Sequence, residues 1–414
     1  MKQLVKQLAR SGYRAVRAKF FHRIIPKSRA SLPEKKKPVI EVVGFFQSIS
    51  GIGESARLCA QQLAADGYEV ICTSVETYFR KPVEVSWDWP ENKVDKKIDC
   101  RIYHLNPPML PTVILQMGLR TFKQTYNIGY WAWELEIIPN EWIKAIRYMN
   151  AIFTPSDFTT GVIQRYTHIS VLTVTHPVVR GEFTPSMRSR LGIPDDAFLV
   201  SNIFSFGSAM ERKNPIGLIK AFTAAFNEED NAYLVLKANS GTDTPEKKQL
   251  LELIAANKKI RLIDQSWSRA DVLGLIQSSS VYASLHRSEG FGLTIAEAML
   301  LDTPTLVTAW SGNMDFCTEE NSFLIPFNQL AVDSNHPEFK GLGHAHWADA
   351  DVAATTRLLK QIYSEPELIT EKKACCARQM QYCIDTHKYQ HALDKLINQE
   401  VTANELRTPS PIRP

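Results

Sequence analysis

The chain has 414 residues, which suggests two or three domains because a single hydrophobic core usually stops growing at roughly 250–300 residues. It is 44% hydrophobic but has no uninterrupted apolar run of membrane-spanning length, so we expect folded cores and no transmembrane helix. The seven cysteines are an odd number without paired Cys-x-x-Cys elements, which argues against a disulfide framework or a zinc site and predicts reduced thiols in a cytoplasmic protein.

The N-terminus differs from the rest of the chain in charge. Residues 1–37 hold twelve Lys and Arg and one acidic residue, Glu34, so this segment carries +11 and the remainder −7. Cations interrupt its apolar residues, which argues against a signal peptide, and the apolar positions fall on one face of a helix. This pattern is typical of a helix on an anionic membrane surface, as in a peripheral protein of the cytoplasmic membrane's inner face. A helix packed on its own domain or a basic tail fits equally.

From residue 38 the pattern alternates between short β-rich runs and helical segments, which predicts a doubly wound α/β domain with a parallel sheet. The first helix is predicted over 53–66. Strands of this first series are predicted at 38–46, 67–75, 97–105, 126–133, 151–156 and 171–178. A polar stretch of linker composition follows, broken by Pro185 and Pro194.

A second series of the same kind then begins. Strands are predicted at 198–206, 232–239, 260–266, 281–286 and 304–308, and helices at 213–226, 245–257, 268–278 and 366–405. The domains are therefore assigned as an extension over 1–37, Rossmann-like domains over 38–185 and 186–385, and a helix and tail over 386–414. We expect the two domains to face a central cleft and the last helix to pack on the N-terminal domain.

The stretch "HRSEGFGLTIAEAML", residues 286–300, places two glutamates eight positions apart around a glycine-rich turn. The turn lies between a predicted strand and a predicted helix, so its amides and the helix N-terminus can bind a diphosphate. Glu289 and Glu297 would then accept hydrogen bonds from sugar or ribose hydroxyls. Two alternatives stay open: Glu297 forms a capping box with Thr294, and Glu289 is a solvated loop charge.

A second stretch, "SFGSAMERKNPIGLIKAF" at 205–222, has two adjacent cations after the first strand of the second series. Arg212 and Lys213 come just before Pro215, a residue suited to the first turn of a helix. Cations at such a junction can neutralise a leaving diphosphate without a metal ion. A solvated Arg-Lys pair is the alternative.

A third stretch, "GFFQSISGIGESARL" at 44–58, fits the pattern G-x-G-x-x-A. Gly51, Gly53 and Ala56 precede Glu76 at the end of the next predicted strand, as in a dinucleotide-binding fingerprint. This supports a competing hypothesis, an NAD-dependent oxidoreductase. The strand is predicted to end near Phe46, however, whereas the glycine turn of that fingerprint follows its strand directly.

Together these stretches resemble glycosyltransferase family 4, retaining enzymes of the GT-B fold. The resemblance rests on "EGFGLTIAEAM", "ERKNPIGLIKAF" and "SGIGESAR". "YWAWELEIIPNEW", "FTPSDF", "LVLKANSG", "YASLHRSEGFGL" and "WSGNMDF" are similar to its mannosyl- or rhamnosyltransferase-like branch. It covers roughly residues 38–390 and implies an N-terminal acceptor domain and a C-terminal nucleotide-sugar donor domain.

The resemblance implies roles for the residues around the donor. Glu297 would bind the ribose, Glu289 the hydroxyls of the transferred sugar, and Arg212 and Lys213 the diphosphate. The amides that would hold the same diphosphate belong to Gly290, Phe291, Gly292, Leu293 and Thr294. Many relatives carry a further Arg before this Lys, where the present chain has "SFGSA".

Four further residues are expected to contact the donor. Gly51 and Gly53 would let the loop of the first domain approach the donor phosphate and the acceptor. Ser266 and Trp267, in "DQSW" after a strand of the second domain, would lie beside the nucleobase.

The acceptor site is less well defined by the sequence. Many relatives have a histidine in the first domain, and in "IYHLNPPML" the corresponding position is Asn106. His104 would point to the other face of its strand, as a packed core histidine. Glu134 in "WAWEL" could contact the acceptor, and a structural role beside the neighbouring tryptophans is equally compatible.

The predicted function is transfer of a sugar, with retention, from a GDP- or UDP-linked donor to an acceptor hydroxyl in surface polysaccharide or lipopolysaccharide assembly. The expected partners are a nucleotide sugar, a glycan or lipid-linked acceptor and an anionic membrane surface, but no nucleic acid. No Asp-x-Asp element ends a strand, so no metal and no cofactor are expected. A sugar-nucleotide-binding subunit without activity is the third alternative.

Overall fold

The computed structural model describes residues 21, 23–28, 30–33, 37–90, 97–239, 244–334 and 336–405, with side chains up to residue 399. The predicted surface helix belongs to the basic extension over 1–37, of which residues 1–20, 22, 29 and 34–36 lie outside the described residues. The chain divides into two compact units. The first contains residues up to Ala132, Ile138–Pro177 and residues from His387 onward, and the second contains Trp133–Ile137 and Val178–Thr386.

The first unit has a six-stranded parallel sheet of order β2-β1-β3-β4-β5-β6. The strands are β1 (Ile40–Gly44), β2 (Val70–Ser74), β3 (Cys100–Tyr103), β4 (Tyr126–Tyr130), β5 (Ala151–Thr154) and β6 (Ser170–Thr173). The helices are α1 (Gly51–Ala65), α2 (Leu110–Met117), α3 (Leu119–Gln124), α4 (Asn140–Ala145) and α5 (Asp157–Gln164). Strands β1, β3, β4 and β5 are buried along their whole length, which explains why they read as nearly continuous apolar runs.

The second unit has another six-stranded parallel sheet, of order β12-β11-β10-β7-β8-β9. Its strands are β7 (Phe198–Ser205), β8 (Ala232–Asn239), β9 (Ile260–Asp264), β10 (Val281–Ser284), β11 (Thr305–Thr308) and β12 (Ser322–Ile325). An antiparallel pair follows, β13 (Phe327–Ala331) and β14 (His346–Ala350). The helices are α6 (Met187–Arg190), α7 (Met210–Lys213), α8 (Pro215–Ala225), α9 (Pro245–Ala255), α10 (Arg269–Ser278), α11 (Leu293–Leu300), α12 (Val352–Ser364) and α13 (Glu367–Thr386).

The helix predicted over 366–405 is two helices. The chain leaves α13 at Thr386, and α14 (Tyr389–Glu405) belongs to the first unit. Here the backbone amide of Thr175 donates to the carbonyl of His387. The apolar face of α14 joins the core beneath the first sheet through Tyr389, Ala392, Leu393, Leu396 and Ile397.

Both sheets confirm the predicted α/β class with Rossmann-like, doubly wound topology. In such sheets ligands bind beyond the carboxyl ends of the strands, at the point where the strand order reverses. That point lies between β1 and β3 in the first sheet and between β7 and β10 in the second. Over the described residues, no helix has both the length and the apolar character needed to cross a bilayer.

Candidate active site

The basic stretch leaves β7 at the switch point of the second sheet. The predicted helix over 213–226 is interrupted there, because Asn214 adopts a left-handed conformation (φ 47°) between α7 and α8. Pro215 begins α8 as expected, and the Asn214 side chain caps this helix by accepting from the Gly217 amide at 3.1 Å. This turn fixes the direction in which Arg212 and Lys213 leave the backbone.

The two cations meet Glu289, which follows the adjacent strand β10. Lys213 Nζ forms an ion pair with one carboxylate oxygen of Glu289, and Arg212 Nη1 lies 3.0 Å from the other. Glu134, from the short Trp133–Ile137 segment of the second unit, lies 3.4 Å from Arg212 Nη2. Arg212 and Glu289 are buried, so neither is a solvated surface charge. Buried charges persist only when they are paired, as here.

The four charges affect one another strongly. Burial by itself raises the pKa of Glu289, but the charges of Lys213 and Arg212 outweigh it and lower the pKa to about 2. Burial raises the pKa of Glu134 to about 6, against the opposing effect of Arg212. Burial also lowers the pKa of Lys213, although Glu289 opposes this. Glu289 is therefore ionised at any physiological pH, whereas Glu134 titrates close to neutrality.

Backbone hydrogen bonds hold the arginine beside the donor turn. Arg212 Nη1 donates to the Ser288 carbonyl at 2.7 Å, and the Arg287 amide donates to the Arg212 carbonyl at 2.7 Å. The Ser288 hydroxyl donates to the Glu134 carbonyl. The Arg287 side chain in turn pairs with Asp349 of β14 at 2.9 Å. Segments from four places in the sequence thus fix one ionic cluster.

A close backbone approach supports the glycine-rich turn. The Glu289 amide donates to Ser311 Oγ at 2.8 Å, and the Gly312 amide donates to the Glu289 carbonyl at 2.9 Å. A Cβ atom at Gly312 would lie 2.3 Å from the Gly290 carbonyl oxygen, which no side chain tolerates. Ser311 has φ 77°, an uncommon conformation for a residue other than glycine. "WSGNMDF", noted in the sequence only for its resemblance, therefore shapes the turn.

The helix after the turn does not begin as a capping box. Gly292 is the N-cap with φ 97°, and Thr294 lies inside α11, where its hydroxyl accepts from Tyr282 at 2.7 Å. The capping alternative for Glu297 is therefore wrong. The ring centroids of Phe291 and Phe316 lie 5.0 Å apart. Because its ring is packed in this way, Phe291 can contribute only backbone groups to a ligand. Leu293 and Thr294 are half-buried at the helix start, where amides lack intrahelical partners.

Glu297 is buried and pairs with a cation that the sequence did not single out. Arg269 Nη1, at the start of α10, lies 2.8 Å from Glu297 Oε1. Arg269 comes two residues after Trp267, so this contact places the start of α10, next in sequence to the nucleobase candidates, beside Glu297. In that segment Ser266 is exposed, and Trp267 packs against a small core cluster with Arg190 5.4 Å from its ring centroid.

The candidate residues near α1 lie in the first unit. Gly51 is the first residue of α1 and is exposed, and Gly53 lies in its first turn. A Cβ atom at Gly53 would lie 2.6 Å from the Phe45 carbonyl oxygen, so this glycine permits tight packing of the loop. Glu76 is buried and accepts from the Gln47 amide at 2.6 Å, which occupies it within the same loop.

The acceptor candidates of the first unit follow β3. Asn106 is half-buried, at the start of a short 3-10 helix over Pro107–Met109. The ring of His104 is buried in the core, stacked on Tyr130 with centroids 4.4 Å apart, and its Nδ1 lies 2.7 Å from Ser55 Oγ. Burial lowers its pKa well below the usual value, so the ring is neutral. His104 is thus placed as a core histidine, away from solvent.

Within the described ranges, no three His, Cys, Asp or Glu side chains are grouped as a metal site would require. The sequence "DAD" at 349–351 ends the strand β14, so the expectation that no Asp-x-Asp element ends a strand is wrong. Its two aspartates have structural partners. Asp349 pairs with Arg287, and Asp351 caps α12 by accepting from the Ala354 amide at 2.8 Å.

The two sheets and the cluster at the second switch point define the class of protein: the fold is GT-B, with two Rossmann-like units. HepE from Anabaena in complex with UDP and glucose is similar, with TM-score 0.59 and 14% identity over 88% of this chain and 100% of that chain. Sucrose-phosphate synthase from Thermosynechococcus elongatus is also similar, with TM-score 0.63 and 14% identity over 89% of this chain and 100% of that chain. A glycosyltransferase from Rickettsia africae is similar with TM-score 0.61 and 13% identity over 89% of this chain and 99% of that chain.

Residues 187–338 match the family model described as "Glycosyl transferases group 1". The match includes the ionic cluster's Arg212, Lys213 and Glu289, together with Glu297. The matched residues all lie in the second unit. A comparison with curated proteins gives no match.

Proposed function

We propose that the protein is a retaining glycosyltransferase of family 4, in its mannosyl- or rhamnosyltransferase-like branch. It transfers a sugar from a GDP- or UDP-linked donor to an acceptor hydroxyl. The observation that carries the proposal is the cluster of buried Arg212 and Glu289 with half-buried Lys213 at the carboxyl ends of β7 and β10. A glycosyl transferases group 1 domain over the same residues supports it.

The cluster fits the chemistry of a leaving diphosphate. Negative charge develops on the diphosphate as the bond to the anomeric carbon breaks, and preorganised cations stabilise that charge in a dry site. Arg212 and Lys213 supply two such cations, held by Glu289 and by the backbone of Ser288. The amides at the start of α11 supply further donors. In a front-face mechanism the departing phosphate oxygen takes the proton of the acceptor hydroxyl, so no separate base is required.

Two carboxylates are suited to the donor's hydroxyl groups. Glu289 stays ionised because of its cations, and it can accept hydrogen bonds from the transferred sugar while holding Lys213. Glu297 is buried beside Arg269, next to the segment proposed to lie against the nucleobase. We assign the ribose hydroxyls to Glu297 on this ground.

The oxidoreductase alternative is weakened by two contacts. A dinucleotide fingerprint places its first glycine directly after the strand, but β1 ends at Gly44 and Gly51 is already in α1. The acid that would bind the NAD ribose, Glu76, instead accepts hydrogen bonds from the loop between β1 and α1. Its carboxylate stabilises the loop.

The donor is tested with a binding panel of UDP-, GDP-, dTDP- and ADP-sugars, with NAD(H) as the competing ligand. We expect one nucleotide sugar to bind and NAD(H) not to bind. Lys213→Ala should weaken nucleotide-sugar binding at least tenfold, because it removes a charge-assisted contact. Lys220→Ala, on the exposed side of α8, is the matched control and should bind as the unchanged protein does. NAD(H) binding that is indifferent to Lys213→Ala would overturn the proposal.

Activity distinguishes the enzyme from a binding subunit without turnover. A transferase should hydrolyse its donor slowly when no acceptor is present, and Glu289→Gln should abolish that hydrolysis. Donor binding without any hydrolysis or transfer would favour the subunit. Glu289→Gln with full activity would show that the proposed role of Glu289 is wrong.

The basic N-terminus bears on the acceptor and the pathway. The basic residues 1–37 favour work at an anionic membrane surface, on a lipid-linked or surface glycan acceptor such as those of polysaccharide or lipopolysaccharide assembly. UDP and UDP-glucose in the HepE structures support a nucleotide sugar as donor. Asn106, Gly51 and Gly53 remain the proposed substrate contacts of the first unit.

A further inference from the structure

Glu134 occupies a different position in the cluster from Glu289. It lies on the Trp133–Ile137 segment, which follows β4 in sequence but belongs to the second unit. Its carboxylate is 3.4 Å from Arg212 Nη2, and its backbone carbonyl accepts from the Ser288 hydroxyl. The chain thus holds a second carboxylate against the same guanidinium that contacts Glu289.

On the basis of the proposed function, we propose that Glu134 takes up a proton from solvent when the donor diphosphate binds at Arg212 and Lys213. Donor binding is then coupled to protonation, and the proton resides on a carboxylate oxygen of Glu134.

The charge balance of the cluster carries this inference. Arg212 and Lys213 are balanced by Glu289 and Glu134, so the four side chains have no net charge. A nucleotide sugar brings two negative charges to the same cations. Glu134 is then left beside an excess of negative charge, which favours the protonated form of a carboxyl group.

Glu134 is the carboxylate placed to accept the proton. Glu289 contacts both Lys213 and Arg212, whereas Glu134 makes one longer ion pair with Arg212. The other charges that act on Glu134 are Glu338, from the segment between β13 and β14, and Glu289, which favour protonation, and Lys213, which opposes it more weakly. A pKa of about 6 means that a small further rise changes its charge near neutral pH.

The experiment is isothermal titration of UDP-glucose, and separately of GDP-mannose, into the full chain at pH 7. The titrations are repeated in PIPES, HEPES and Tris, buffers whose ionisation enthalpies differ. The slope of the observed binding enthalpy against the buffer's ionisation enthalpy gives the number of protons taken up per donor bound. The diphosphate of a nucleotide sugar is a diester that does not titrate near pH 7. A rise in the Glu134 pKa of one to two units from about 6 gives an uptake of about 0.4–0.8 proton.

Two variants assign the proton. Glu134→Gln should bind with an uptake below about 0.1 proton, because its amide cannot titrate. Glu136→Gln, two residues along the same segment and paired with His346 at 3.3 Å, is the matched control and should keep the uptake. Equal uptake in all three proteins, or none in the unchanged protein, overturns the inference.

If Glu134→Gln does not fold, the pH dependence of the unchanged protein decides. Uptake requires affinity to increase about 5- to 25-fold as the pH falls from 8 to 6, and affinity that stays constant overturns the inference. If neither nucleotide sugar binds the unchanged protein, the proposed function fails and the inference fails with it. Binding without linked protons leaves the proposed function intact and refutes the inference alone.

Discussion

Replacing Glu289 by Gln keeps the side chain's size and removes its charge, so it tests whether the carboxylate holds buried Arg212 and half-buried Lys213. Lys213 forms an ion pair with one of its oxygens, and Arg212 Nη1 lies 3.0 Å from the other. In the variant, Arg212 retains its ion pair with Glu134, whereas Lys213 loses its ion pair with Glu289. The second unit should therefore be destabilised.

The pKa of Glu289 gives the magnitude of the expected loss of stability. Its cations lower the value from 4.5 to about 2, which corresponds to about 3 kcal/mol of stability at neutral pH. Because the folded pKa lies below the unfolded one, this contribution is complete above pH 4.5 and is lost as the pH falls toward 2. Removing one partner of a buried ion pair typically costs about 3–5 kcal/mol, so the two estimates agree.

Hydrogen exchange of the amides in β7 and β10 measures the opening free energy of the second unit. We expect Glu289→Gln to lower this free energy by about 3 kcal/mol at pH 7, where Glu289 is ionised and Arg212 still has Glu134 as a partner. Glu338→Gln makes the same chemical change at an exposed side chain and should change it by less than about 0.5 kcal/mol. A loss below about 1 kcal/mol in Glu289→Gln would refute the reasoning.

Three further predictions concern the turn, the metal and the N-terminus. Gly312→Ala should lower the free energy of unfolding by at least about 2 kcal/mol, because its Cβ would lie 2.3 Å from the Gly290 carbonyl oxygen. Gly161→Ala is the control: its Cβ would meet open space within α5, so thermal unfolding should show a neutral or stabilising effect. Turnover should survive EDTA, and an activity that EDTA removes and Mg²⁺ or Mn²⁺ restores would contradict metal independence. Deleting residues 1–25 should reduce sedimentation with anionic liposomes, and unchanged sedimentation would remove the support for membrane-surface binding.

The sequence was sufficient where the signals are local. Apolar runs of strand length and glycine punctuation located the β-strands of both sheets except the edge strand β12, which was not predicted, and Pro215 marked the start of α8. The predicted diphosphate cations and Glu289 lie together because the carboxyl ends of adjacent parallel strands share one edge of a sheet. The strand order that makes β7 and β10 neighbours was not predicted, since spacing alone does not specify pairing.

The contacts that the sequence did not predict are long-range. Arg269 and Glu297 lie 28 positions apart in the sequence. The residues around each of them indicate only a charged side chain at the end of a helix. Glu134 reads as part of the first domain because its segment follows β4, and only packing assigns it to the second unit. The apparent capping box failed because the turn placed Gly292, with positive φ, at the helix start. Local propensity could not anticipate that geometry.

The division of the chain into units does not follow the order of its residues, and this limits how the protein can be dissected. A fragment of residues 178–386 keeps Arg212, Lys213 and Glu289 but lacks Glu134, which comes from an excursion of the earlier half. A chain truncated after Thr386 loses the α14 side chains that fill the core of the first unit. Neither half is encoded by one uninterrupted stretch, so exchanging halves with a relative would transfer an incomplete core and an incomplete ionic cluster.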